Sequence, residues 1–178
     1  MTQEIYQEAI KFATKKHQHQ TVPGTESSYL WHLSNVAMEV MMAHQIKNNF
    51  DLNYAIQLAL LHDILEDTDA EYLELEDKFG VEVAQGVKAL AKYNDLTSKK
   101  ERMLDSLKRI KEIPKEVSTV KLADRITNLQ KPPKCWPKEK IENYWEEAKQ
   151  INQMLQGKNE YLSKRLEEKI TTYESYTR

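Results

Sequence analysis

The 178-residue sequence predicts an all-α bundle folded as a single domain, residues 1–178. Apolar residues recur at helical rather than alternating spacing, helix-forming Glu, Lys, Gln, Leu and Ala dominate, and few turn signals interrupt them. The four glycines, Gly24, Gly80, Gly86 and Gly157, are too scattered for a phosphate-binding loop, a dinucleotide fingerprint or a nucleophile elbow. That removes the kinase, P-loop, Rossmann and α/β-hydrolase classes. With 28 acidic against 26 basic residues the formal charge is −2, so nothing pulls the chain globally toward nucleic acid or an anionic membrane.

A first helix carries Ile5, Ile10, Phe12 and Ala13 on one face and ends in the polar stretch HQHQTVPGTESS, a loop. A second, Tyr29 to about Ile46, has Leu30, Leu33, Val36, Ala37, Val40 and Met41 as its apolar face with His32 beside it. The third, about Asn53 to Glu66, is apolar nearly all round, which predicts a central buried helix. Asp67 or Asp69 is placed to cap a short fourth helix through Phe79, and Gly80 separates it from VEVAQGVKALAKY. Residues 97–112 show one narrow stripe, Met103, Leu104, Leu107 and Ile110, so that helix is expected at the surface, ended by Pro114. Glu116 to about Gln130 follows, then the stiff connection KPPKCWP, then helices at Glu139–Leu155 and Glu160 to about Thr172. The core is expected between about residues 5 and 155, with the last charged helix packing outside or fraying. Trp31, Trp136 and Trp145 are read as core or pocket-wall residues.

The chemistry concentrates at His62 and Asp63, adjacent in the most apolar helix, where an ionised carboxylate is costly unless paired or bound to a metal. Glu66 and Asp67 follow within one turn, gathering three carboxylates and an imidazole at a helix C-terminus, where the macrodipole opposes negative charge and favours a nearby cation. Taken alone, the segment also fits a hydrogen-bonded core histidine, a solvated Glu66 and a capping Asp67. His32 and Asp124, on two other helices, extend the set to mixed nitrogen and oxygen donors suited to a divalent transition ion such as Mn²⁺ or Fe²⁺ with open positions. Asp124 and Asn128 share one helix face, and Lys121 with Arg125 form a second i,i+4 pair. The pairs fit either an anion-holding surface or the solvated side of an ordinary amphipathic helix.

The order His32, His62-Asp63, Asp124 resembles the H…HD…D pattern of the HD-domain metal-dependent phosphohydrolases. The blocks AIKFATKKHQHQ, YLWHLSNVA, LALLHDILEDT, FGVEVAQGVKAL and VKLADRITNL resemble, in the same order, the hydrolase domain of the RelA/SpoT alarmone enzymes and the small alarmone hydrolases. The resemblance implies an all-α fold and Mn²⁺-dependent removal of pyrophosphate from the 3′ position of guanosine tetra- or pentaphosphate. It implies His32, His62, Asp63 and Asp124 as metal ligands and Glu66 and Asp67 as the pair that positions and activates the attacking water. It further implies Asn128 as a nucleotide contact, Lys92 as a phosphate contact, and Arg125, Lys140 and Tyr144 as substrate-facing residues.

The chain departs from that family where an arginine-bearing loop usually follows the His17–Gln20 stretch, since Thr21, Val22 and Pro23 stand here. His32 is followed by Leu33 rather than proline, and KALAKYNDLTSKKER matches the family's basic substrate loop loosely. A related enzyme acting on another nucleotide or phosphorylated metabolite is the alternative. A non-catalytic nucleotide-binding module is a third reading, disfavoured because every ligand and both acids are present. The expected partner is a small-molecule nucleotide, not nucleic acid and not a membrane; oligomeric state is not predicted. The single Cys135 and a start without basic and apolar signal regions point to the cytoplasm.

Overall fold

The computed structural model of the protein describes residues 1–92 and 98–178. Among these residues the chain forms ten α-helices: α1 (Thr2–Lys16), α2 (Leu30–Ile46), α3 (Leu52–Leu61), α4 (Ile64–Asp67), α5 (Tyr72–Phe79), α6 (Val81–Leu90), α7 (Lys99–Lys111), α8 (Lys115–Asn128), α9 (Lys138–Met154) and α10 (Glu160–Tyr173). A 3₁₀ turn, Glu174–Tyr176, closes the chain, and the only extended pairing among the described residues is an isolated antiparallel bridge between Thr21 and Ser28. No helix among them is long and apolar enough to cross a membrane.

Local chemistry sets several helix starts. Asp51 accepts hydrogen bonds from the Asn53 and Tyr54 amides at the head of α3, and Asn159 accepts from Leu162 in α10. Ser98 and Glu101 form a reciprocal capping box on α7. The expected cap of the short helix after Asp67 is not made: α5 starts after Glu71 without a side-chain cap. Asp69 instead pairs with Lys16, and Asp67 turns toward Tyr29.

Two helices form the centre. α3 lies against α1, α2, α6 and α8, with Ile56, Leu58, Leu60 and Leu61 fully buried, each worth about 1.5–3 kcal/mol of apolar transfer. Gly86 lets α6 approach it, since a Cβ there would stand 2.6 Å from Leu58 Cδ2. The second central helix is α8, buried continuously from Glu116 to Thr127. The surface with solvated charges is therefore not what this helix presents: Lys121, Asp124 and Arg125 are each 5% exposed. Charged groups so buried cost several kcal/mol apiece unless partnered, and each is partnered inside the bundle.

The predicted third helix is broken into α3 and α4 at His62-Asp63. His62 Nδ1 lies 2.9 Å from the Ala59 carbonyl oxygen, taking the acceptor that a continuing helix would offer to Asp63. Asp63 then adopts φ −97°, ψ 0°, and its carbonyl starts the next turn by accepting from the Glu66 and Asp67 amides. The last helix takes the packed alternative. α10 buries Leu162, Leu166, Ile170 and Tyr173 against α8 and α9 instead of fraying. It is pinned to α2 by Arg165, whose Nε and Nη2 donate to the buried Glu39 carboxylate at 2.6 Å each. Trp31 is no core residue; it stands 45% exposed on α2.

Candidate metal centre

The break between α3 and α4 aims His62 and Asp63 at His32 from α2 and Asp124 from α8. His32 Nε2 lies 3.2 Å from His62 Nε2, 3.6 Å from Asp63 Oδ2 and 3.5 Å from Asp124 Oδ1. His62 Nε2 lies 2.9 Å from Asp63 Oδ2 and 3.7 Å from Asp124 Oδ1. The donor atoms of His32, His62 and Asp124 all fall within 4.8 Å of one another. Because a carbonyl only accepts, the Ala59 contact requires the proton of neutral His62 to sit on Nδ1. Nε2 is left as a bare lone pair facing the other donors.

Such a ring of lone pairs and carboxylate oxygens calls for a shared cation. Ligand bonds of about 2.0–2.2 Å would put neighbouring donors about 3 Å apart, so the group fits a divalent ion with little movement. Without one, protons are drawn in. Burial alone would depress the His62 imidazole, yet Asp63 and Asp124 override it and push its pKa up to about 10. His32 is likewise raised against burial by hydrogen bonds to Asp124 and Asp63. Burial would raise both carboxylates, but His62 and His32 hold Asp63, and Lys121 with the two histidines holds Asp124, well below the usual range.

Each remaining group expected at the site has a definite place. Lys121 Nζ lies 3.1 Å from Asp124 Oδ2, and Asn128 Nδ2 donates to Asp124 Oδ1. Lys121 is therefore engaged with the carboxylate rather than open to an anion. Tyr29, on the first turn leading into α2, donates its hydroxyl to Asp63 Oδ2 at 2.5 Å, and Asp67 Oδ2 lies 3.4 Å from the Tyr29 hydroxyl oxygen. Glu66 accepts from the Lys92 amide at 3.1 Å and from its Nζ at 3.2 Å. Burial, reinforced by Asp63 and Glu66, lifts the Asp67 carboxyl to about 6, a value suited to exchanging protons near neutrality. The basic substrate segment expected after Lys92 lies partly outside the described residues, at 93–97.

Arg125 and Tyr144 lie next to this ring, while Lys140 is exposed beyond them. The buried Arg125 guanidinium sits 4.5 Å from the Tyr144 ring centre and 3.3 Å from Glu147, while its Nε and Nη1 have no hydrogen-bond partner. Tyr144 meets Trp136 edge-on at 5.3 Å, and Lys140 Nζ lies 4.0 Å over the Trp136 ring. Arg125 thus underlies Tyr144. Sequence reasoning missed Tyr29, His17 and Gln20 as neighbours of the ring. The usable signal for Tyr29 was its position three residues before His32; His17 and Gln20 were hidden in a stretch that reads as a polar loop.

Residues 9–160 match the model of the HD domain family, and the chain belongs to that family. It is 32% identical to the guanosine-3′,5′-bis(diphosphate) 3′-pyrophosphohydrolase MESH1 of Danio rerio over 90% of this chain and 89% of that one. It is also 32% identical to the Homo sapiens protein of the same name, over 89% of each chain. Among solved structures it is similar to a metazoan ortholog of SpoT described as hydrolysing ppGpp, with a TM-score of 0.81, 27% identity and 94% coverage of both chains. A Listeria monocytogenes EGD-e structure shares the fold with a TM-score of 0.64 at 22% identity, covering 86% of this chain and 100% of that one.

Proposed function

We propose that this chain hydrolyses guanosine 3′,5′-bis(diphosphate) at the 3′ position, using Mn²⁺ held by His32, His62, Asp63 and Asp124. The observation that carries this reading is the convergence of those four side chains from three segments, with Glu66 and Asp67 at the next turn. Relatives named for this activity and similar over nearly their whole length support it. In the reaction, water adds to the phosphorus that carries O3′, the P–O3′ bond breaks, and guanosine diphosphate and pyrophosphate form, with one proton ending on O3′. A divalent ion held by His32, His62, Asp63 and Asp124 would supply a lowered pKa for water and polarisation of the phosphoryl oxygen.

The chain's own residues do the rest. Asp67, poised near neutrality, takes the proton from the attacking water, and Glu66 holds Lys92 at the edge of the ring. Lys92 and Lys140 offset the charge of the diphosphate, Asn128 orients Asp124 and contacts the nucleotide, and Arg125 supports Tyr144 as a wall for it. The reading places the enzyme in the cytoplasm with a soluble nucleotide as its partner.

A second reading keeps the chemistry and changes the nucleotide. It is favoured by the loop from Gln18 to Tyr29, which contains no lysine or arginine to stack on guanine. Turnover of guanosine tetraphosphate with added Mn²⁺, with Asp63→Ala protein as the blank, separates the two. Guanosine diphosphate plus pyrophosphate, absent in the blank, supports the first reading. No turnover by metal-loaded protein moves the assignment to another nucleotide or phosphorylated metabolite.

A further inference from the structure

The segment from Gln20 to Tyr29 is a closed loop: the Tyr29 amide donates to the Gln20 carbonyl at 3.0 Å, and the Val22 amide to the Ser27 carbonyl at 2.9 Å. Gly24, at φ 79°, presses this loop on the proline-rich connection, where a Cβ would come within 2.5 Å of Pro133 Cγ. Both ends of the loop reach α4. The Tyr29 hydroxyl donates to Asp63 Oδ2 at 2.5 Å with Asp67 Oδ2 at 3.4 Å, and Gln20 Nε2 donates to the Asp67 carbonyl at 2.5 Å.

Behind these two residues stands His17, 1% exposed. Since the Gln20 amide nitrogen is spent on Asp67, its Oε1 must accept, so the His17 Nδ1–H donates across 2.7 Å. The His17 ring stacks on Tyr29 at 4.8 Å, and His32 flanks the same tyrosine at 5.3 Å. The phenol thus touches two imidazoles, one stacked and one tilted, with its single proton directed at a donor-ring carboxylate.

We propose that Tyr29 and Gln20, braced by His17, are positioning residues for the acidic turn of α4. Tyr29 fixes the rotamer of Asp63 at the donor ring and spaces it from Asp67, while Gln20 fixes the Asp67 main chain. Two carboxylates one turn apart repel each other, and a hydroxyl donor between them holds a geometry that solvent would leave free. The turnover arm of the test rests on the proposed hydrolytic reading; the metal arm does not.

The test uses Tyr29→Phe and Gln20→Glu in the full chain, with helicity and Tm checked by circular dichroism. Mn²⁺ affinity is read by electron paramagnetic resonance titration and steady-state turnover on guanosine tetraphosphate. Tyr29→Phe is expected to weaken Mn²⁺ binding and kcat by roughly 10–100-fold with KM little changed. Gln20→Glu keeps an acceptor for His17 but loses the donor to Asp67, so kcat is expected to fall while Mn²⁺ affinity holds. Folded variants with wild-type Mn²⁺ affinity and wild-type turnover overturn the proposal. Should the unaltered protein not hydrolyse the nucleotide, the hydrolytic reading fails by itself, and unchanged Mn²⁺ affinity in Tyr29→Phe still overturns the positioning role.

Discussion

His32 and His62 face each other through their Nε2 atoms at 3.2 Å, although thirty residues separate them in sequence. In neutral His62 the Ala59 carbonyl keeps the proton on Nδ1 and leaves Nε2 a lone pair, so this approach is stable only around a shared proton or metal ion.

The ring and the acidic turn next to it separate by mutation. Asp63→Ala removes one donor and one of the two carboxylates paired with both imidazoles, and is expected to abolish Mn²⁺ binding and turnover together. Glu66→Ala leaves the ring intact and is expected to retain Mn²⁺ affinity while losing roughly 100-fold in turnover. Isothermal titration and pyrophosphate release check both; activity retained in either variant contradicts the site.

Metal binding is expected to release protons. In the metal-free protein His62, lifted to about 10, is charged at pH 7.5, and a ligating imidazole must be neutral. Loading Mn²⁺ should therefore expel protons at that pH, from His62 and from His32, which is also raised, and affinity should rise with pH. The sign for stability is the opposite: a pKa raised in the folded state adds stability that is complete below the unfolded value and lost as pH climbs through about 10. Calorimetry of Mn²⁺ binding in buffers of different ionisation enthalpy measures the proton count.

Asp67 is expected to set an acid limit on turnover. A carboxylate that accepts a proton from water must be ionised, and burial with Asp63 and Glu66 nearby has raised this one to about 6. A divalent ion on Asp63 would cancel part of that rise, so at saturating Mn²⁺ kcat is expected to fall along an acid limb at or below about 6. Asp67→Asn should remove the limb and most of the rate. An acid limb that persists unchanged in Asp67→Asn would falsify this role.

The clamp between α2 and α10 bears on stability alone. Arg165→Met strands the Glu39 carboxylate, 4% exposed, without its bidentate partner and is expected to cost about 2 kcal/mol. Thermal unfolding should show the loss while Mn²⁺ affinity stays unchanged. Adding Glu39→Met should recover much of it, because the stranded charge is then gone.

The all-α class and the approximate helix positions were legible in the sequence, because apolar spacing and scarce turn residues are local properties. His62 and Asp63 drew attention because charged and polar groups inside an apolar run demand partners, and the ordered pattern with His32 and Asp124 supplied them. The break after Leu61 was not legible, since it depends on one imidazole competing for the Ala59 carbonyl.

Periodicity also could not show that α8 is buried on all sides. Its Lys121, Asp124 and Arg125 look solvated until Tyr144, Glu147 and the two histidines close around them.

By itself, then, the sequence determined which residue types could bind a cation and the order in which they occur. Only the tertiary structure decided which atoms meet, and it made Tyr29, Gln20 and His17 part of the site. Helical periodicity acts within a few residues, whereas the directions of those donors are set by a loop closing on α4 from more than thirty residues away.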